Sequence, residues 1–539
     1  MLMLSLYCSI FHMGACVGGI MNKLTMVAVS ALALGVASCG GGGSGDGGGG
    51  AVSPPPLPTL STSISSLTFD VDEGNTADTF TVNVNFTGSS SQAIVPSLEL
   101  GGSAMTLSGT VAANGTTAYQ FKLASVAGLG GGEHSGTLTF RLCTDSGCSK
   151  VYPGSTISSR YFVDVQLKDW AMHQRNAAHN GYVDAKLNPS LFAQAWVWNP
   201  GEVQSAKPAA ASDGTVFLSV ANRDGTSTAY ALAAEDGSEK WRRSLGPQSY
   251  VGGPAVANGR VYIMSMETSS SDNPIWYLDA TTGAVLQTPR FDSQWSDFFA
   301  PVPYDNKLYV SAGYYNDAVY AYDAQTGARD YVTAFSGYVY DKNVPAVDQN
   351  YVYHHDGATL NVYRRGDGSL FKSFTDPQED WAGYSYDAAP VLGANGLILT
   401  FGGVGNADWN RGIVAYNVAS SNYSWQLGDE FGGIPALAGQ TFYVSNHSRG
   451  SVQALNSTNG NLRWEWTPTD GNTRGGNVIV TRNLMFFSSS SAVYAVDFSS
   501  GSPQKVWEAA HGGHIALTPD FQLIVTDGSS GRVTAYSLN

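Results

Sequence analysis

Cysteine and histidine are the first residues to question for chemistry. The chain has five cysteines, Cys8, Cys16, Cys39, Cys143 and Cys148, and none follows residue 148. The remainder therefore holds no disulfide, no thiolate metal site and no cysteine nucleophile. Cys143 and Cys148 enclose TDSG, a gap of four residues rather than the two usual in redox or metal pairs. His134 is the nearest histidine and lies well upstream. A local disulfide is the expectation wherever the compartment is oxidising. His511 and His514 frame HGGH. The intervening glycines imply a loop, so the helical-face argument for a shared metal fails. His354 and His355 end a strand, where alternation sends them to opposite faces, and they read as surface residues. His173 and His179 lie in DWAMHQRNAAHNGYV (169–183) and read as hydrogen-bonded to structure. No GxSxG, HExxH or phosphate-cradling glycine motif stands in a suitable setting. Neither a catalytic group nor a metal site is expected. Trp295, Trp381 and Trp409 fall in the loops QWSDFF, EDWAGYSY and NADWNRG. They are the candidate aromatic surface for a sugar ring or a partner strand, with ordinary loop packing as the competing reading.

The segments that carry these residues follow from pattern. The chain has 539 residues, too many for one ordinary core. Only 13% of residues are charged, against about 25% in a typical domain. Glycine, tyrosine and tryptophan are abundant, which favours short strands and tight turns. The formal net charge of −15 argues against nucleic acid as a partner, because phosphate binding needs a basic face.

Residues 21–39 read MNKLTMVAVSALALGVASC. A single lysine precedes an apolar stretch too short to span a bilayer comfortably. Its end, Val36-Ala37-Ser38-Cys39, resembles the bacterial lipobox, which implies lipidation of Cys39 as the mature N-terminus. Met21 is the expected start, since residues 1–20 fit no signal pattern. Gly40 stands where an inner-membrane retention aspartate would, so outer-membrane placement is expected. Residues 40–59 are a Gly- and Pro-rich tether.

Between 60 and 167, segments such as TFTVNVNF (79–86) and GTLTFRLC (136–143) alternate apolar and polar residues. Six or seven such strands predict a small Ig-like β-sandwich. From 168 to 539 the chain repeats. AYALAAEDGSEKW (229–241), WYLDATTGAVL (276–286), VYAYDAQTGARD (319–330), VQALNSTNGNLRW (452–464) and VYAVDFSSGSPQKVW (493–507) are copies of one unit, with turn glycines 41 to 46 residues apart between adjacent full copies. The recurring Asp279, Asp323 and Asp497 read as turn residues, and Trp241, Trp425, Trp464 and Trp507 as packing between sheets. A second hairpin precedes each unit, as in PAVANGRVYIMS (254–265), and eight copies are found. Four strands per period of about 44 residues is a propeller blade. The last unit lacks its outermost strand, and FAQAWVWNP (192–200) supplies one. The fold expected is all-β: an eight-bladed β-propeller closed by its N-terminal strand, after the sandwich.

The D-A-x-T-G-x-x-x-W repeat and the lead-in 169–183 resemble the pyrroloquinoline-quinone-like (PQQ-like) propeller family. Within it, the resemblance is nearest to lipidated, non-catalytic propellers of the outer-membrane-assembly type. It implies a membrane-anchored binding or scaffolding protein without cofactor. Its partners would be the membrane, through the lipid, and a protein of the cell envelope. The family also contains quinone-dependent dehydrogenases, which use adjacent cysteines beside the quinone and hold Ca²⁺ with carboxylate and amide oxygens. Under that alternative the cofactor would be PQQ with calcium, and Asp380 or Asp429 would be candidate acids. A cell-surface glycan-binding or adhesion protein is the third reading.

Overall fold

The structure is a computed structural model. It describes residues 55–539 except 65, 75–76, 202, 294–299, 314–315, 338–339, 342–343, 380–384, 387–388 and 404–410. Cys39, Trp295, Trp381, Trp409 and Asp380 lie outside the described residues. Described regular structure is β-strand apart from two short 3-10 turns, and no described helix is long and apolar enough to cross a membrane.

The N-terminal part is a two-sheet sandwich. Its strands are β1 (Thr59–Leu60), β2 (Ser66–Asp72), β3 (Thr79–Thr87), β4 (Val95–Gly101), β5 (Met105–Leu107), β6 (Ala112–Ala113), β7 (Ala118–Ser125), β8 (Gly132–Cys143) and β9 (Val151–Gln166). One sheet runs β1-β3-β7-β5 and the other β2-β9-β8-β4. Lettered in chain order with the short β6 left out, these give A-B-E-D and C-F-G, the neighbour order of a constant-type immunoglobulin sandwich. The first strand is divided: β1 pairs antiparallel with β3, and β2 crosses to pair parallel with β9. Alternating residues such as Val82, Val84, Phe121, Leu138, Phe140 and Val163 fill the space between the sheets. Cys143 and Cys148 are joined, with Cα atoms 5.0 Å apart, and staple the turn between β8 and β9. The closed loop is short, so replacing both cysteines by serine is expected to cost about 2 kcal/mol. Denaturant unfolding of the double variant checks this.

After residue 200 the sheets repeat. Antiparallel units with four strand positions fall at 203–247, 250–292, 302–332, 346–375, 391–431, 431–466 and 478–509, the innermost position being interrupted in the first two and the outermost also in the second. They are blades 1 to 7. Tyr423–Ala438 is one continuous strand that is outermost in blade 5 and innermost in blade 6. Blade 8 holds three C-terminal strands, and β10 (Ala193–Trp198) completes it by pairing antiparallel with Val533–Ser537. The first and last strands of the propeller thus share a sheet, and Val533–Ser537 is not left as its outer edge.

The repeat's chemistry is visible in the packing. Asp279 Oδ1 accepts from the N–H groups of Thr281 and Thr282, and Asp323 Oδ1 from Gln325 and Thr326. Each pins the turn whose glycine has positive φ, +66° at Gly283 and +73° at Gly327. Trp241 lies on the turn of the next blade, and its indole N–H donates to Ala280 O at 2.9 Å. A Cβ on Gly283 would sit 2.6 Å from the Trp241 ring, so the glycine makes room for the tryptophan as well as for the turn. Trp196 on Gly237 and Trp425 on Gly460 repeat the arrangement, with Tyr331 on Gly368 as a variant.

His354 and His355 correct the sequence reading. Both are fully buried, not on the surface. They do point to opposite faces. His354 Nε2 lies 3.2 Å from Asp317 Oδ2 in blade 3, and His355 Nε2 lies 3.6 Å from Asp376 Oδ2. A blade is covered on both faces by its neighbours, so alternation separates two interiors rather than inside from outside.

Sandwich and propeller are joined through buried charge. Glu73, just after β2, is 7% exposed and forms a bidentate pair with Arg175 of the lead-in segment, 6% exposed. Glu73 also accepts from the N–H groups of Lys168 and Asp184 at 2.8 and 2.9 Å. Arg175 donates further to the carbonyls of Lys168 and Tyr182. A second link runs through Arg482 of blade 7, which binds Asp184 and donates to Gly128 O of the sandwich at 2.6 Å.

Candidate functional site

The lead-in 169–183 decides where a site can form, because it passes across the inner ends of the blades and docks on one after another. Carbonyls of Trp170, Ala171, Ala177, Ala178, Asn180 and Gly181 accept from Ala211, Val256, Val347, Leu392, Leu437 and Val480, at 2.7 to 3.0 Å. These donors occupy equivalent positions on the innermost strands of blades 1, 2, 4, 5, 6 and 7. The equivalent residue in blade 3 is Pro303, which has no N–H to give. There the segment turns instead, with Gln174 and Arg175 at φ +47° and +77°, and Arg175 reaches Glu73. Gln174 is buried in that turn. It donates to Pro435 O and Val478 O and accepts from Asn477.

Against this floor lies a cavity of about 370 Å³. The lead-in contributes His173, Gln174 and His179. Blades 5 and 6 contribute Val391, Phe401, Arg411, Phe431, Ile434 and His447, and Arg474 and His514 complete the polar lining. Two glycine pairs, Gly432-Gly433 and Gly475-Gly476, form part of the wall. A Cβ on Gly476 would stand 2.3 Å from Ser488 O, and one on Gly432 2.4 Å from His447 Nε2, so side chains have no room there.

Burial sets the charge state of the lining. His179 Nδ1 sits 2.8 Å from Pro390 O, and burial outweighs that contact and lowers its pKa to about 4. His173 is pushed well below the ordinary histidine value by burial and then by the nearby His179 and His514. The rings of His173 and His179 meet edge to face, 5.0 Å apart. At neutral pH both are neutral hydrogen-bonding groups. Arg411 and Arg474 are the permanent charges of the described lining, which contains no carboxylate.

Of the histidines singled out by sequence, His173, His179 and His514 meet at this cavity. His511 is instead 3.2 Å from Tyr536 Oη, and Asp429 is held by Asn446, Ser448 and the N–H of Glu430. Sequence reasoning missed Arg411, His447 and Arg474. A usable signal was present: VGGP (251–254), FGGI (431–434), RGGN (474–477) and HGGH (511–514) place a glycine pair before an innermost strand four times. That pairing marks where chains crowd towards the axis.

Comparison with known proteins places this geometry. Among solved structures, a europium-containing methanol dehydrogenase is 14% identical, with a TM-score of 0.53, over 69% of this chain and 98% of its own. BamB from Moraxella catarrhalis is 14% identical over 65% of this chain and 90% of its own, with a TM-score of 0.34. The quinohemoprotein alcohol dehydrogenase from Comamonas testosteroni is 13% identical over 69% and 80%, with a TM-score of 0.44. The first likeness is one of propeller fold. No curated protein matches the sequence. Residues 180–298 and 290–539 match the family described as outer membrane protein assembly factor BamB. With most of its length matched, the chain belongs to that family of PQQ-like repeat propellers.

Proposed function

We propose that the protein is a non-catalytic binding and scaffolding propeller of the cell envelope, held at the outer membrane by a lipid on Cys39 and acting on protein partners. The donor set of the channel cavity is the observation that carries this reading. A calcium-held quinone needs carboxylate and amide oxygens around its ion. The described lining offers two guanidiniums, four imidazoles and the Gln174 amide, with no carboxylate. Gln174 is already committed on both its oxygen and its nitrogen. Among the described residues no three His, Cys, Asp or Glu side chains come together as a metal group. The propeller also has no cysteine for a disulfide beside a quinone. The described lining residues do not fit calcium with PQQ. The family's description, an assembly factor of outer-membrane proteins, supports a protein partner in the envelope.

Quinone with Ca²⁺ or a lanthanide, added to the purified full chain, tests the reading. The expected result is no quinone absorbance retained after gel filtration, no thermal stabilisation and no dye-linked oxidation of alcohols. Turnover of an alcohol above the protein-free blank would sink it. Cross-linking in intact envelopes should in parallel recover an outer-membrane protein.

A further inference from the structure

We infer that the channel cavity binds a small organic acid, with its carboxylate on Arg474, its apolar or aromatic body against Phe401 and Phe431, and a hydroxyl donated towards His179. This deepens the non-catalytic reading and rests on it, because the cavity must be free of a resident quinone.

Charge comes first. The chain as a whole carries −15, yet the charged side chains of the described lining are both arginines. The Arg474 guanidinium at the cavity wall attracts anions locally. Arg474 is exposed, and its main chain is fixed: its N–H donates to Asn472 Oδ1 at 2.9 Å, and its carbonyl accepts from Ser490 at 3.0 Å. Gly475, at φ +83°, and Gly476, where a Cβ would meet Ser488 O at 2.3 Å, follow and keep the backbone tight against the neighbouring strand. A guanidinium fork on a rigid base suits a carboxylate held through two parallel bonds.

Shape comes second. The described walls include Val391, Phe401, Phe431, Ile434 and Pro435, so a bare inorganic anion would leave most of the 370 Å³ without a partner. A flat or compact apolar body fills it.

His179 supplies the third point. It is 1% exposed, and with Nδ1–H donating to Pro390 O the neutral ring keeps its lone pair on Nε2. That atom has no partner among the described residues. A buried acceptor without a donor is uncommon in folded proteins. A ligand hydroxyl would satisfy it.

Titration of the full chain at pH 7, without calcium or quinone, tests this by calorimetry and thermal shift with 4-hydroxyphenylacetate as probe. Phenylacetate lacks the hydroxyl, tyrosol lacks the carboxylate, and inorganic phosphate lacks the body. The expected order is saturable binding of 4-hydroxyphenylacetate, several-fold weaker phenylacetate, and tyrosol and phosphate at least 10-fold weaker. Arg474→Ala should weaken the acid at least 10-fold with the unliganded melting temperature unchanged, and Arg474→Lys should recover part of the loss. No binding of either acid, tyrosol or phosphate equal to the acid, or an R474A variant that binds normally would each overturn the inference. Alcohol turnover with added quinone would instead remove the non-catalytic reading, so the two failures are separable.

Discussion

Replacing Glu73 with alanine is expected to destabilise the folded protein by about 3–5 kcal/mol, the usual cost of leaving one member of a buried ion pair alone. Arg175 would keep its positive charge in a site where it is 6% exposed. The N–H groups of Lys168 and Asp184 would lose their acceptor in the same step. The effect should reach both parts of the molecule, because this one carboxylate ties the sandwich to the turn at which the lead-in crosses blade 3. Chemical denaturation with separate fluorescence and proteolysis readouts would show it. Loss confined to the sandwich, or below about 1 kcal/mol, would mean the joint is peripheral. Pairing the change with Arg175→Met should recover much of the loss, since an apolar pair needs no charge compensation.

The same group fixes a pH dependence. Burial by itself would raise the Glu73 carboxyl, but the hydrogen bonds and charge of Arg175, with the two N–H donors, hold it below the ordinary glutamate value. A depressed folded-state pKa adds stability that is complete above the unfolded value, near 4.5, and is lost as pH falls through the folded one. The joint should therefore be indifferent to pH from 6 to 8 and weaken only in acid below about 4. In E73A that acid-dependent component should vanish.

Trp196→Ala is the second large effect. Trp196 stands on β10, the strand that closes blade 8, and is 7% exposed. Its ring covers Gly237 in the turn of blade 1, and its indole donates to Ala234 O at 2.7 Å. Truncation removes a large buried ring and the latch between first and last blades together, for an expected loss of about 3–5 kcal/mol. Trp241→Ala, in an ordinary blade, is the control. It removes a similar ring, but both its blades stay covalently continuous. If closure matters beyond ring burial, W196A should also lower the cooperativity of unfolding, which W241A should leave intact. Equal transitions for the two variants would show that β10 adds packing alone.

What the sequence could determine was whatever each repeat states locally. An aspartate, a glycine and an aromatic at fixed spacing specify a turn and the residue laid upon it, so the blades and the missing outer strand were countable without coordinates. Alternation in 60–167 likewise specified a sandwich, though not that its first strand would change sheets. His354 and His355 misled because periodicity reports two faces and says nothing of what covers them. The cavity was decided by tertiary structure alone. Its histidines come from positions 173, 179, 447 and 514, and its arginines from 411 and 474. They meet because a ring brings the inner ends of many repeats to one axis, and because Pro303 withholds an N–H at the blade where the lead-in must turn. Contacts of that kind depend on closure of the whole circle, and no local window of sequence contains them.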